Sequence, residues 1–593
     1  MKFAITAAVA LCLATEWVVC ASGTNTTGLE KIKHFVYFMQ ENRSFDHYYG
    51  TMAGVRGFND PNVGMQSNGN SLYYQPYLFS SDWRNGAGYI LPFQFTGNRA
   101  GCTVGGSNGW FPNHLALNGG KNDNWPTGNS PMSMGYEIRD QLPFHFALAE
   151  EFTIADMYFQ SVTASTNPNR VVWMSGTNSA DGYSLQDNTE SPTLKWGTYP
   201  QNLTTAGVSW QVFQDNGKYN FDDDPLKWFQ YWSALPDGAE KQKGLGFLGI
   251  AEFQARAANG TLPQVSYIVG ATELSEHPDN CPSAGAWLQR QVVESVMNSP
   301  LWESTALIIN YDESGGFYDH VVPPQAPKSE WQPVALELGI KSSPGLGPRV
   351  PFICISPYCR GGNVFTEVSD HRSTLMLLEQ WIGKNSNGSV RAPAGLISPW
   401  ARQTVSSLLN LFDFDNPDFS IPNLPDVATP PKDSTGKWDP TEMCEALTDP
   451  KSSPPYGKQK MPVVEKGSKR LRGYLTEGRY LVFRSGSNSL QSNGGELVVG
   501  NSTLQSPAEV FVVNNINGSF QIMNNQTKSC INVSGQVVQL GGCGTTLWNS
   551  TYTANGATYN LYESKGGQGL TISSNSVNVT KSATSFQIYS VQI

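Results

Sequence analysis

The chain has 593 residues, 39% of them hydrophobic, with 58 Gly, 37 Pro and a formal net charge of −10. That length exceeds one ordinary domain, and the composition is that of a globular, loop-rich protein rather than a fibrous or disordered one. The acidic balance excludes a nucleic-acid partner, because no basic excess exists to neutralise phosphates. It weighs less against membranes, since apolar surface alone can dock on lipid.

Lys2 precedes an apolar run over 3–14, and Val19-Cys20-Ala21 offers a small-residue cleavage site. Glu16 interrupts the stretch before it reaches the ~20 residues that a membrane span needs. Residues 1–21 are therefore read as a signal peptide and the protein as secreted and extracellular. Sequons from Asn25 to Asn578 fit a glycosylated surface. Asn42-Arg43-Ser44 is also a sequon, expected to be buried and unmodified.

Residues 34–39 are predicted to form a strand, and Gln40-Glu41-Asn42-Arg43-Ser44-Phe45-Asp46-His47 follows it. Ser165-Thr166-Asn167-Pro168-Asn169-Arg170 precedes a predicted helix start at Val171. Hydroxyls at a helix N-terminus meet free backbone N–H groups, which suits phosphate. A metal beside one would make it a nucleophile. Alone, the segment reads as a plain N-cap with a proline turn; beside the two carboxylate motifs it reads as a site. Further strands are predicted over 265–269, 306–310 and 350–355, and helices over 286–297 and 373–381. Strands separated by helices imply an α/β fold with a mostly parallel sheet flanked by helices. Sites in such sheets lie at the carboxyl ends of strands.

Asp312-Glu313-Ser314-Gly315-Gly316-Phe317-Tyr318-Asp319-His320 stands at such an end. Adjacent carboxylates are costly to hold together unless a cation or a shared proton neutralises them. Two strand ends carrying oxygen ligands point to one metal site. All seven histidines lie between 34 and 371, which places the chemistry in the first domain. Three stand in polar settings: Asn113-His114, Ser275-Glu276-His277-Pro278 and Asp370-His371-Arg372-Ser373.

The α/β domain is assigned to 28–415 and an extended Pro-rich linker to 416–472. Residues 473–593 are strand-like with a period of about 40, seen in Leu490, Ile531 and Leu570 and in Leu497, Val537 and Val577. Such a triple repeat predicts a β-trefoil, with a β-sandwich as the alternative. From Arg479 onward there is no Asp and no His. The tail is therefore expected to be dispensable for chemistry and to pack or space, with carbohydrate binding the lesser reading. Cleavage after Ala21 leaves seven cysteines. Most are expected to pair with one left over, Cys530 and Cys543 with each other.

Five motifs occur in order: Glu41-Asn42-Arg43-Ser44-Phe45-Asp46-His47-Tyr48-Tyr49-Gly50, Thr166-Asn167-Pro168-Asn169-Arg170, Ser275-Glu276-His277-Pro278, the Asp312–His320 run and Asp370-His371-Arg372-Ser373. Together, over about 35–412, they resemble the phosphoesterase family of bacterial and fungal phospholipases C and a related acid phosphatase. The resemblance implies an alkaline-phosphatase-like α/β fold, one divalent metal and a covalent phospho-enzyme. By position it implies Glu41, Asn42, Asp312, Glu313 and the Thr166 oxygen as metal ligands, and Thr166 as nucleophile. It also implies His114, His277 and His371 around the phosphate. Ser165 remains open as an alternative nucleophile. Oxygen ligands fit calcium, magnesium or manganese, and the mixed Asn/carboxylate set also admits zinc or iron.

The function expected is that of a secreted phospholipase C. It would split a phospholipid into diacylglycerol and a phosphorylated head group, with peripheral contact to a membrane surface. One alternative is an acid phosphatase acting on monoesters; the other is an extracellular binding protein with an inactive phosphoesterase site. Thr rather than Ser at 166 favours the diesterase, and the intact ligand set speaks against the inactive site.

Overall fold

The structure, a computed structural model, describes residues 28–78, 88–180, 188, 193–215, 223–278, 280–334, 341–385, 396–440, 444, 452–457, 459–573 and 576–593. The stretch read as a signal peptide, 1–21, lies outside the described residues. Eight strands form the central sheet: β1 (His34–Gln40), β2 (Thr153–Ala155), β3 (Trp210–Gln214), β4 (Val265–Val269), β5 (Thr305–Tyr311), β6 (Phe352–Ile355), β7 (Val364–Phe365) and β8 (Gly467–Arg472). Their order is β3-β4-β1-β5-β6-β2-β7-β8. β3, β4 and β5 are buried at every position and β1 at every position after His34, as strands covered on both faces must be. The sheet is mostly parallel, but β6 runs antiparallel to both β5 and β2.

Five helices matter for the site: α1 (Phe45–Tyr49), α2 (Trp110–Leu117), α3 (Thr166–Ser175), α4 (Pro282–Met297) and α5 (His371–Asn385). α3 starts at Thr166, five residues before the predicted start. Pro168 is tolerated there because the first turn of a helix leaves its N–H groups without intrahelical acceptors. α5 is tied to the sheet where Trp381 Nε1 donates to the Ile32 carbonyl at 2.9 Å.

Register decides where the site forms. β1 and β5 are parallel neighbours with Gln40 opposite Tyr311. Glu41 and Asp312 therefore leave the sheet side by side, although 270 positions separate them in sequence. Gly315 shows how closely the two loops meet. At φ +66, a Cβ there would stand 2.0 Å from the Asn42 carbonyl oxygen, so only glycine fits.

The segment read as a linker ends in a strand. β8 pairs in parallel with β7 and antiparallel with Gln587–Gln592, so the main sheet runs on into the C-terminal β-region. There, six strands (Tyr480–Ser485, Phe511–Ile516, Ser519–Asn524, Trp548–Thr553, Thr558–Glu563 and Gln587–Gln592) pair in a ring. Reciprocal backbone bonds between Tyr559 and Phe586, both 2.8 Å, close it. Three hairpins, opening at Asn488, Cys530 and Gly569, bear the fully buried Leu490, Ile531 and Leu570 at matching places.

This junction bears on how separable the tail is. Arg479 makes a two-pronged, fully buried ion pair with Asp156 just beyond β2, its Nε donating to Asp156 Oδ2 at 2.7 Å. Asp156 Oδ2 also accepts from the Arg56 amide at 2.7 Å. A chain ended near Arg470 would cut β8 and strand Asp156, so truncation does not leave an intact α/β domain. Arg479→Ala is expected to lower stability by about 3–5 kcal/mol, because it leaves a buried carboxylate unpaired. Chemical unfolding of the full chain measures this, and a loss below about 1 kcal/mol would show the junction to be incidental.

Disulfides join Cys530 to Cys543, as expected, and Cys102 to Cys444. Among the described residues three cysteines stay unpaired, not one: Cys281, Cys354 and Cys359. Cys354 in β6 and Cys359 just after it are sealed in the core.

Candidate active site

At the carboxyl edge of β1 and β5, Arg170 organises the acidic loops. Its Nη2 donates to Glu41 Oε1 at 3.0 Å and lies 3.1 Å from Asp223 Oδ2, and its Nε donates to Asp312 Oδ2 at 3.2 Å. Asp312 Oδ1 accepts from the backbone N–H of Asn42 at 3.1 Å and of Glu313 at 2.7 Å. Glu313 accepts from Asn108 Nδ2 at 3.0 Å and from the Gly315 amide at 2.7 Å. Glu41, Asn42, Asp312 and Glu313 are thus brought together in one buried cluster. The burial of Asn42 also closes its sequon to modification.

Three carboxylates, Glu41, Asp223 and Asp312, face one guanidinium, and Glu313 adds a fourth beside Asp312. Burial, reinforced by Asp312 and only partly offset by Arg170, pushes Glu41 up to about 8. Burial also raises Asp312 against the pull of Arg170. Glu313 is raised well above the ordinary carboxylate range by burial, then by Asp312 and Glu41. This surplus of negative charge needs a counter-charge. Glu41 Oε2 and Asn42 Oδ1 are buried without a hydrogen-bond partner. Hard oxygen donors left open beside excess anionic charge fit a divalent cation.

Thr166 opens α3 and is 1% exposed. Arg170 lies four residues on, on the same face of the helix, so its ion pairs tie the helix that Thr166 opens to the acidic cluster. Ser165, in the N-cap position, does not cap the helix, and its Oγ is buried without a partner. Asn169 holds this loop instead. Its Nδ2 donates to the carbonyls of Val162, Ala164 and Ser165 at 3.2, 3.0 and 3.1 Å.

The three histidines differ. His114 on α2 bonds the Trp110 carbonyl through Nδ1 at 2.8 Å and Ser342 Oγ through Nε2 at 3.1 Å. Burial lowers its pKa. Trp110 stacks on it at 4.1 Å and packs on Val162 and Ala164 of the Thr166 loop. His277 is half-buried, and its loop reaches the cluster because Ser275 lies close enough to lower the Glu41 carboxyl. Glu276 anchors that loop from below, accepting from Tyr48 Oη at 2.6 Å, Tyr311 Oη at 2.7 Å and Gln289 Nε2 at 2.6 Å.

His371, expected around the phosphate, meets the backbone of Asp312. It is wholly buried, with Nε2 2.8 Å from the Asp312 carbonyl and Nδ1 2.9 Å from Tyr158 Oη. Both ring nitrogens are taken by protein, and burial pushes its pKa down to about 3. A neutral imidazole so held braces the backbone of Asp312.

A second buried cluster joins Asp46, Asp319 and His320, whose ligand atoms lie within 4.8 Å of one another. Here protein cations already match the charge. Arg349 donates to Asp319 at 2.9 Å and Asp46 at 2.8 Å, while His320 lies 2.6 Å from Asp46 and 3.2 Å from Asp60. The Glu41 cluster, with its surplus charge and open oxygens, is the better cation site. Against its burial, Arg56 and His320 hold Asp60 well below the usual carboxylate range. A depressed carboxylate lends stability above its unfolded pKa of ~3.9 and loses it as the pH falls toward the folded value. Asp60→Asn should therefore destabilise at pH 7 and lose less further stability than wild type between pH 5 and pH 2. Unfolding midpoints across that range decide this; parallel curves would refute it.

Arg170, Asp223 and Asn108 were not singled out by sequence. Arg170 had a signal, standing one turn after Thr166 in the same motif. Asp223 and Asn108 had none, since only the fold brings them near.

A buried acidic centre at parallel strand ends, tied through Arg170 to a helix that opens on a hydroxyl residue, marks an α/β enzyme. Residues 32–385 match the model of the phosphoesterase family, and the chain belongs to that family. It is 36% identical over 454 residues to a non-hemolytic phospholipase C of Burkholderia pseudomallei, covering 70% of this chain and 63% of that one. It is 34% identical over 455 residues to a hemolytic phospholipase C of Pseudomonas aeruginosa, covering 70% and 60%. With phospholipase C B of Mycobacterium tuberculosis it shares 35% over 435 residues, covering 67% and 80%. The chain thus spans less than two thirds of the length of the first two relatives.

Proposed function

We propose that this protein is a secreted phospholipase C that hydrolyses the phosphodiester of a glycerophospholipid through a phospho-threonine intermediate. The observation that carries the reading is the convergence of Glu41, Asp312 and Arg170 on the face of α3 that Thr166 opens. The names of the relatives supply the substrate class. Glu41, Asn42, Asp312, Glu313 and the Thr166 oxygen would hold one divalent cation. When bound, that cation supplies positive charge to phosphate oxygens and lowers the pKa of the Thr166 hydroxyl.

A histidine takes the proton of the Thr166 hydroxyl, Oγ1 forms a bond to phosphorus, and the bond from phosphorus to the diacylglycerol oxygen breaks. The departing alkoxide takes a proton from a histidine. His114 and His277 are the candidates, since both are partly exposed whereas His371 is wholly buried. Water then releases the phosphorylated head group and returns Thr166 to its free form. Arg170 neutralises Glu41 and Asp312 and keeps both pointed at the centre. We read the C-terminal ring of six strands with three hairpins as a β-trefoil whose role is packing rather than chemistry, a reading that its lack of Asp and His supports.

Head-group release from a phospholipid panel, beside a phosphomonoester control and with and without chelation, tests this reading. Cation-dependent cleavage of the diesters is the expected result. Faster turnover of the monoester would make the protein a phosphatase.

A further inference from the structure

The loop that touches Glu313 runs directly into a helix whose outward face is apolar. Asn108 donates to Glu313, and a Cβ on Gly316 would strike the Ser107 carbonyl at 2.6 Å, so residues 106–108 line the acidic centre. α2 begins two residues later. Its inward face carries the buried Asn113, Ala116 and Leu117. Its outward face carries Phe111 and Leu115, 63% and 43% exposed, one helical turn apart. Val104, just before the loop, is also 43% exposed. Three exposed apolar side chains on the segment that carries the loop touching Glu313 point to an interaction surface beside the acidic centre.

Charge identifies the partner. Residues 100–120 contain no Asp, Glu, Lys or Arg, whereas the whole chain carries −10. His114, the one titratable side chain on α2, has its pKa lowered and lies beside Ser342. Lys121 is the first charge beyond the stretch. An uncharged, apolar face on an acidic protein matches a surface without net charge. We infer that Phe111, Leu115 and Val104 dock this enzyme on zwitterionic phospholipid bilayers, with the acidic centre held at the lipid head groups. The Cys102–Cys444 disulfide fixes the start of this segment. The inference rests on the phospholipase reading above and adds how the site meets aggregated substrate.

Cosedimentation with phosphatidylcholine vesicles is the direct test, run in a Thr166→Val background so that the lipid stays intact. The Phe111→Ser/Leu115→Ser variant is expected to bind about tenfold or more weakly, in line with two apolar side chains losing their burial in lipid. With Thr166 present, it should lose vesicle hydrolysis in parallel while cleaving a short-chain phosphatidylcholine below its critical micelle concentration at the wild-type rate. Phe247→Ser, which removes an exposed apolar side chain from a different segment, should change neither. Phe111→Trp, which adds an interfacial side chain without polarity, should strengthen vesicle binding and guards against misfolding of the double variant. Unchanged vesicle binding in the double variant overturns the inference, as does an equal loss on vesicles and on the soluble lipid. If the wild type cleaves neither lipid, the phospholipase reading falls, and the binding arm alone then decides the fate of this face.

Discussion

Thr166→Val should lower kcat by about 10³-fold or more while the protein stays folded, because it deletes the attacking oxygen and keeps the shape. Thr166 is 1% exposed and begins α3, so a β-branched isostere preserves packing and helix start alike. Ser165 supplies the control. Its hydroxyl is buried and does not cap the helix, so Ser165→Ala removes no hydrogen bond that the fold uses. Activity retained in Thr166→Val together with loss in Ser165→Ala would move the nucleophile by one residue.

The second large effect concerns the cation. Glu313 is forced upward by burial and by two neighbouring carboxylates, so its ionised form strains the cation-free protein. Glu313→Gln should cut bound metal, read by elemental analysis, well below one per chain, and should abolish turnover. Thermal unfolding separates this from a folding defect. Added cation should stabilise the wild type by about 2.7 kcal/mol at a hundred times its Kd, and chelation should remove that gain. Glu313→Gln should be insensitive to both, and without cation no less stable than the wild type. A wild type indifferent to chelator and cation would place the metal elsewhere or nowhere.

Much of this centre was legible in the sequence because it sits where local signals are strong. β1 and β5 are continuous apolar runs, and each ends in an acidic motif. The glycines of the Asp312 loop mark a turn whatever lies opposite. What stayed hidden depends on contacts between distant segments. β6 has the composition of its parallel neighbours, and only pairing with Asn310 and Ile154 gives its direction. β8, Gly-Ser-Lys-Arg-Leu-Arg, is too polar to read as a strand, and it is one because both its edges find partners. His371 stands in a polar motif yet points inward, where the Asp312 carbonyl and Tyr158 claim it. The role of Arg170 emerges only when Glu41, Asp223 and Asp312 close around it.

The covalent step can be caught directly. Protein mixed with phosphatidylcholine and quenched in acid during turnover can be digested and its peptides weighed. A phosphorylcholine adduct on the peptide containing Thr166, lost in Thr166→Val and diminished by chelation before mixing, is the expected result. An adduct on Ser165 or on a histidine, or turnover without any adduct under conditions where its hydrolysis is slowed, would contradict a phospho-threonine mechanism at this centre.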